Sequence, residues 1–108
     1  QAGYHLLSIP ASQTAYQLQG VDALGAPGNQ IYTLNYLKGA TSFTISEGKS
    51  LANLPSDGGQ SVSLRATTAN LSTSSGLTTL AWTENGVGIR IVGNLGNDAI
   101  IALAKLLV

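Results

Sequence analysis

The glycines near the end of the chain are the first residues whose spacing suggests chemistry. They lie in the stretch GVGIRIVGNLG, from Gly86 to Gly96, and glycine loops that open a helix can cradle a phosphate. A dinucleotide fingerprint needs its glycines in one strand-to-helix turn, and a P-loop needs Lys before Ser or Thr. Here Gly86 follows Asn85 in a hairpin signal, and Gly88 falls inside a strand. We interpret the run as a hairpin and a helix entry, with weak anion binding at the helix start as the alternative.

Residues for catalysis or metal binding are sparse. His5 is the only histidine, and the chain has no cysteine, which excludes thiol catalysis, thiolate metal sites and disulfides. No Gly-x-Ser-x-Gly motif occurs, and the five carboxylates are dispersed without a recognisable acid/base spacing. The sequence therefore predicts no catalytic residue, no metal site, no cofactor and no enzymatic activity.

Four aromatic residues and one arginine are the remaining candidates for a site. Tyr32, Tyr36, Phe43 and Trp82 fall on the apolar faces of predicted strands, where aromatic side chains either build a core or line a pocket for an apolar ligand. Arg90 stands alone among apolar strand neighbours and indicates either a solvent-facing surface or a contact with a partner. Both interpretations stay open for all five.

Length, composition and charge limit the fold and the partners. The 108 residues suit one domain. Five Lys and Arg balance five Asp and Glu, and charged residues make up only 9%; because no basic cluster exists, we expect neither nucleic acid nor anionic lipid as a partner. The last apolar stretch, Ala99 to Val108, is far shorter than the roughly 20 residues of a membrane span. The start lacks Met and a signal-like region, so we interpret the chain as an excised or mature piece of a longer protein. We expect that the longer protein could carry a membrane anchor outside this piece.

Alternation of apolar and polar residues places most of the chain in strands. Two short extended segments are predicted before a turn at 25–30, and the segment 47–60 is predicted as a loop. IYTLNYL and TSFTIS form strands joined by a hairpin at Lys38 to Ala40, and SVSLRA is another strand. The passage from Thr67 to Gly76 is predicted to be turn-rich, with at most a short edge strand.

The end of the chain combines a hairpin with a helix. Asn85-Gly86 joins LTTLAWTE to VGIRIVG, because both central residues of a type I′ turn need positive φ. This turn predicts that Trp82 faces Ile89. In the segment that follows, helical spacing predicts an apolar stripe, with Gly96 or Asn97 as N-cap. The stripe consists of Ile100, Leu103, Ala104 and Leu107.

These closing residues carry a resemblance to a known family. LxWxENGVxxxIxGNL followed by xxDxIIxLAKLL, with YTLNY and SFTISEG upstream, resembles the DUF4367 family. The chain departs from the family pattern at Gly96, where Ser or Thr is frequent, and at Gly88 and Arg90. The matching positions are Leu80, Trp82, Asn85, Gly86, Gly93, Leu95, Ile100, Leu103, Ala104 and Leu107.

The resemblance implies an extracytoplasmic domain of bacterial envelope proteins, some of them fused to anti-sigma-factor regions. It also implies a layout similar to lipoprotein carriers, in which a curved antiparallel sheet wraps a helix, and it brings no catalytic residues. We therefore expect one α+β domain over residues 1–108, with a curved, mostly antiparallel sheet of about six to eight strands and the C-terminal helix on its concave face.

Two functions follow as expectations from the sequence. The first is a non-enzymatic extracytoplasmic module for binding or sensing, in the bacterial cell envelope or secreted, which acts through a protein partner in envelope regulation. The second is a carrier or sensor of a hydrophobic ligand held between sheet and helix, with Trp82, Tyr32, Tyr36 and Phe43 as its lining.

Overall fold

Seven strands and one α-helix make up the structure, a computed structural model that describes residues 9, 16–25, 30–51, 60–65, 67–84 and 86–107. The described chain is mostly β, so the predicted α+β class applies only because one helix accompanies the sheet. The elements are β1 (Gln17–Leu24), β2 (Ile31–Lys38), β3 (Thr41–Gly48), a short 3-10 helix (Lys49–Leu51), β4 (Gln60–Leu64), β5 (Thr67–Ser74), β6 (Leu77–Glu84), β7 (Val87–Gly93) and α1 (Asn97–Leu106).

All seven strands belong to one antiparallel sheet with the order β1-β2-β3-β7-β6-β5-β4. Among the strands of the described residues, the sheet is not closed, and β1 and β4 form its two edges. The last strand, β7, lies in the middle, where it joins the meander β1-β2-β3 to the meander β4-β5-β6. The antiparallel sheet and the C-terminal helix are therefore confirmed.

The two hairpins predicted from local sequence are also confirmed. Lys38 pairs with Thr41 across the first, and in the second Trp82 pairs with Ile89 and Ala81 with Arg90. Gly86 has φ +78°, which is the left-handed conformation that this turn requires of a central residue.

Two predictions about loops are wrong. The turn-rich passage from Thr67 contains β5, an eight-residue strand that lies between β6 and β4 and is therefore not an edge. Its threonines favour extended backbone, but only Ala69 and Leu71 mark its apolar face. In the predicted loop at 47–60, Glu47 and Gly48 still belong to β3, and the Glu47 side chain is only 1% exposed. The predicted extended segment before Pro10 lies outside the described residues except for Ile9.

The two faces of the sheet differ in chemistry. On one face, which we call the core face, apolar side chains of β2 to β7 form a single buried cluster. The helix contacts β4, β6 and β7 on this side and contributes buried residues to the same cluster. The predicted stripe is confirmed, because Ile100, Leu103, Ala104 and Leu107 are all buried.

Gly93 shows how closely β3 and β7 approach each other. A Cβ atom at this position would lie 2.6 Å from Phe43 Cβ and 2.7 Å from the Ser42 carbonyl oxygen. Asn94, the next residue, donates its side-chain amide to the Ala40 carbonyl at 3.1 Å and accepts the Ser42 N–H at 3.1 Å. These contacts fix the end of β7 against the β2–β3 turn.

Candidate functional site

Three of the four aromatic candidates are packed in the core. Tyr36, Phe43 and Trp82 are each at most 5% exposed. The rings of Tyr36 and Phe43 are stacked with centroids 4.8 Å apart, and Tyr16 meets Phe43 edge-on at 4.9 Å. The Tyr36 hydroxyl accepts the Ile9 N–H at 3.2 Å.

The structure does not bring the four aromatic residues to one place. Phe43 pairs with Gly93, which in turn pairs with Thr78, so Trp82 lies two strands and four residues away from Phe43. Tyr32 is half-buried, and its hydroxyl donates to Gln30 Oε1 at 2.9 Å. Tyr36 and Phe43 form one group, and Trp82 belongs to another.

Arg90 lies on the opposite face, away from the helix. It is half-buried between Ser46 of β3 and Ala81 of β6, and its side chain makes no hydrogen bond or ion pair within the part of the chain that the structure describes. Around it the side chains are short and mostly hydroxylated; Thr44 of β3, for example, donates to Asn35 of β2 at 3.0 Å. One row across the seven strands consists of Asp22, Thr33, Ser46, Arg90, Ala81, Asn70 and Ser61.

A polar network that the sequence analysis missed holds the end of the helix to the sheet. Arg65, in the turn between β4 and β5, binds both carboxylate oxygens of Glu84, with Nε to Oε1 at 2.7 Å and a terminal nitrogen to Oε2 at 3.1 Å. Its other terminal nitrogen donates to the carbonyls of Ala104 at 3.2 Å and Leu107 at 2.8 Å. Trp82 Nε1 donates to Glu84 Oε1 at 3.1 Å. One guanidinium therefore binds two carbonyls at the C-terminal end of the helix, and the Ala104 carbonyl also accepts the Leu107 N–H at 3.4 Å.

The charges in this network stabilise each other. Hydrogen bonds from Arg65 lower the pKa of Glu84, and the bond from Trp82 acts in the same direction, while burial opposes both. The hydrogen bond to Glu84 raises the pKa of Arg65. Because Arg65 and Glu84 are already joined to each other and to the helix, we assign this network to stability. The residues are 19 positions apart, and no local pattern in the sequence connects them.

The outer strand β1 is the most unusual surface of the described chain. Among its apolar side chains, Leu18 is 48%, Val21 52% and Leu24 68% exposed. Leu18 pairs with Tyr36 and Val21 with Leu34, so both lie on the core face, beyond the area where its side chains are buried. The exposed residues Leu18, Val21 and Leu24 are spaced three apart, and this spacing does not indicate whether another element covers the strand.

Within the described ranges, no cluster of three or more His, Asp or Glu residues is arranged to hold a metal ion. Of the helical residues that the structure describes, none form a helix with the length and apolarity needed to cross a membrane.

Comparisons of the chain with models of known protein families, with curated proteins and with solved structures found no match. The assignment of a function therefore depends on the surfaces of the molecule itself.

Proposed function

We propose that the protein is a non-enzymatic binding module that acts through contact with a protein partner along β1. The observation that carries this proposal is the exposure of Leu18, Val21 and Leu24 on a strand at the edge of the sheet. Apolar side chains grouped on one exposed strand are typical of interaction sites, and protein partners commonly bind a free edge by adding a strand.

The chemistry of β1 suits strand addition. One side of its backbone is hydrogen-bonded to β2, and no other strand of the described residues pairs with its outward side, where N–H and C=O groups can bind an extended partner segment. Those backbone bonds give affinity without selecting a sequence. Selectivity then comes from the side chains, here Leu18 and Val21 on one face and Leu24 on the other, which prefer apolar residues in the partner.

The setting that we propose is the bacterial envelope or the secreted space, as part of an envelope-regulatory or anti-sigma protein. Its support is the resemblance of the segment from Leu80 to Leu107 to the DUF4367 family. We also propose that the sheet is curved and that α1 lies on its concave face, as in that resemblance. The burial of the helix stripe in the sheet's core supports this arrangement.

Site-specific photo-crosslinking in the producing cells tests the contact surface. A photoreactive amino acid replaces Val21 in one variant and Leu24 in another, and Ser61 on β4 is the matched control because it is exposed on the opposite edge. We expect crosslinked protein from the two β1 positions and little from Ser61. Equal yields from all three positions, or none, would contradict β1 as the contact surface.

The second candidate function is a carrier or sensor of a hydrophobic ligand between sheet and helix. It is favoured by the position of α1, which contacts β4, β6 and β7. The core face continues beyond these strands to Leu18 and Val21 on β1, so the helix covers only part of it, and a ligand could bind beside the helix. Titration with an environment-sensitive apolar dye tests it, because Trp82 is the only tryptophan and reports binding near the core. A carrier requires that the dye binds saturably and stoichiometrically and that binding alters Trp82 emission. The absence of both saturable binding and an emission change excludes this function.

A further inference from the structure

We propose that β1 pairs antiparallel with β1 of a second copy of this chain, which joins two sheets into one. The inference rests on the proposed role of β1 as the contact surface and specifies the partner. Its basis is the difference between the two edges, together with the match of β1 to itself.

The two edges of the sheet are protected to different degrees. β4 is five residues long, and its exposed residues are polar, as is usual for an edge that must not pair. β1 has eight residues and contains no proline or lysine. Its protective features are Asp22 and a bulge at Gln19, where the pairing with β2 shifts between Leu18 and Gly20. The stretch from Gly20 to Leu24 pairs regularly and is free of the bulge.

Symmetry limits how two copies of β1 can align. The core faces of the two copies lie on the same side of the joined sheet only if one residue of β1 is directly opposite the same residue of the other copy. The two-fold axis then passes between these two residues. An axis at Asp22 would place two carboxylates opposite each other, which is unfavourable. An axis at Gly20 would place Val21 opposite Gln19, so the bulge would interrupt the pairing directly beside the axis.

The alignment centred on Val21 avoids both problems. Val21 then faces Val21 of the second copy, and Asp22 faces Gly20, so the single charge of β1 lies opposite a residue without a side chain. Leu24 of each copy comes to the Leu18 end of the other, but the bulge at Gln19 places these two side chains on opposite faces, so the apolar contact of this alignment is the one between the two Val21 side chains. An axis at Ala23 would instead place Asp22 opposite Leu24.

Charge and size agree with a weak, reversible dimer. The chain has a formal net charge of zero, so two copies experience little overall repulsion. One strand pair forms a small interface, of the kind that gives transient association. We therefore expect monomer and dimer to exchange as the protein concentration changes.

Disulfide trapping tests the alignment directly, because the natural chain has no cysteine. Directly opposed residues of paired strands lie within the distance that a disulfide spans. Under mild oxidation, Val21→Cys should form a covalent dimer, and a mixture of Gly20→Cys with Asp22→Cys should form mixed dimers, because these two residues face each other in this alignment. Ser61→Cys on β4 is the control. We expect it to crosslink at least roughly tenfold more slowly than Val21→Cys, since only random collisions bring two copies of Ser61→Cys together.

Sedimentation of the chain without cysteines gives an independent measurement. The average mass should rise from 11.0 kDa toward twice that value between roughly 10 µM and 1 mM protein. Val21→Lys should keep the chain monomeric, whereas Ser61→Lys, with the same added charge on β4, should dimerise like the parent. Circular dichroism of both variants checks that they fold.

The outcomes separate this inference from the proposed function. A chain that stays monomeric, or Val21→Cys that crosslinks no faster than Ser61→Cys, overturns self-pairing. If photo-crosslinking from Val21 then captures a different protein, β1 remains a contact surface with another partner. If it captures nothing, both proposals fail.

Discussion

Arg65 links three parts of the molecule through one side chain. It adopts φ +48°, a left-handed conformation that costs energy for any residue except glycine. In that position the guanidinium contacts Glu84 and the end of the helix together. The side chain is only 19% exposed and that of Glu84 22%, so water weakens the pair less than it would weaken one on an open surface.

Replacement of Arg65 separates the backbone cost from the value of the contacts. Arg65→Ala removes the guanidinium and keeps the unfavourable φ, so we expect a loss of about 1.5–3 kcal/mol in the free energy of unfolding. Arg65→Gly loses the same contacts but accepts the conformation, and it should be more stable than Arg65→Ala by about 0.5–1 kcal/mol. Urea denaturation measures both, and an alanine variant as stable as the parent would show that the network contributes nothing.

Glu84 should make stability depend on acidity. Because hydrogen bonds from Arg65 lower its folded-state pKa, the ionised group stabilises the fold above the unfolded value of about 4.3. This contribution disappears as the pH falls through the lower folded value, where both states bind the proton.

We expect the free energy of unfolding of the parent to exceed that of Glu84→Gln by about 1–2 kcal/mol at pH 7. This difference should shrink below about pH 4. Thermal or urea unfolding between pH 7 and 2.5 gives the two curves. Asp22→Asn is the matched control, since this exposed carboxylate makes no ion pair within the described residues. A constant difference at every pH would refute the assignment.

At the scale of elements, the close contact of β3 with β7 sets the tolerance of the sheet to substitution. Gly93 faces Phe43 across this pair with no room for a side chain. Gly20 on β1, by contrast, has no atom within 4 Å of where its Cβ would be.

The two glycines should therefore respond differently to the same change. Gly93→Ala must push the strands apart or displace Phe43, and we expect a loss of about 1–3 kcal/mol or more. Gly20→Ala should change stability by less than about 0.5 kcal/mol. Chemical denaturation distinguishes them, and a Gly93→Ala variant with parental stability would mean that β3 and β7 lie farther apart than described.

At the scale of the whole molecule, the helix closes the core. It contributes Ile100 and Leu103 to the buried cluster that contains Trp82. A large apolar side chain stabilises by about 1.5–3 kcal/mol when buried, and domains of this size are stable by only about 5–15 kcal/mol in total.

Removal of residues 97–108 should consequently unfold the domain. We expect loss of the cooperative transition and a red shift of the emission from Trp82, the only tryptophan. Lys105→Ala, an exposed change in the same helix, should leave both unaltered. A truncated chain that still unfolds cooperatively would show that the sheet is stable without α1.

What the sequence could predict depends on the distance over which each signal acts. The Trp82–Ile89 hairpin and the helix stripe depend on neighbours along the chain, and both were predicted correctly. The place of β7 beside β3 and the bond from Arg65 to Glu84 depend on residues far apart, so no local pattern indicates them. The exposure of Val21 was missed for a similar reason, because the residues of a strand do not reveal whether another element covers it.

The central position of the last strand also has a consequence for synthesis of the chain on the ribosome. β3 ends at Gly48, but its neighbour β7 begins only at Val87. Until that later segment emerges, Phe43 and Ile45 belong to an edge that has no partner. In the nascent chain β3 and β6 thus both lack their later neighbour β7, and slow translation of the 38 residues between β3 and β7 would lengthen the exposure to aggregation.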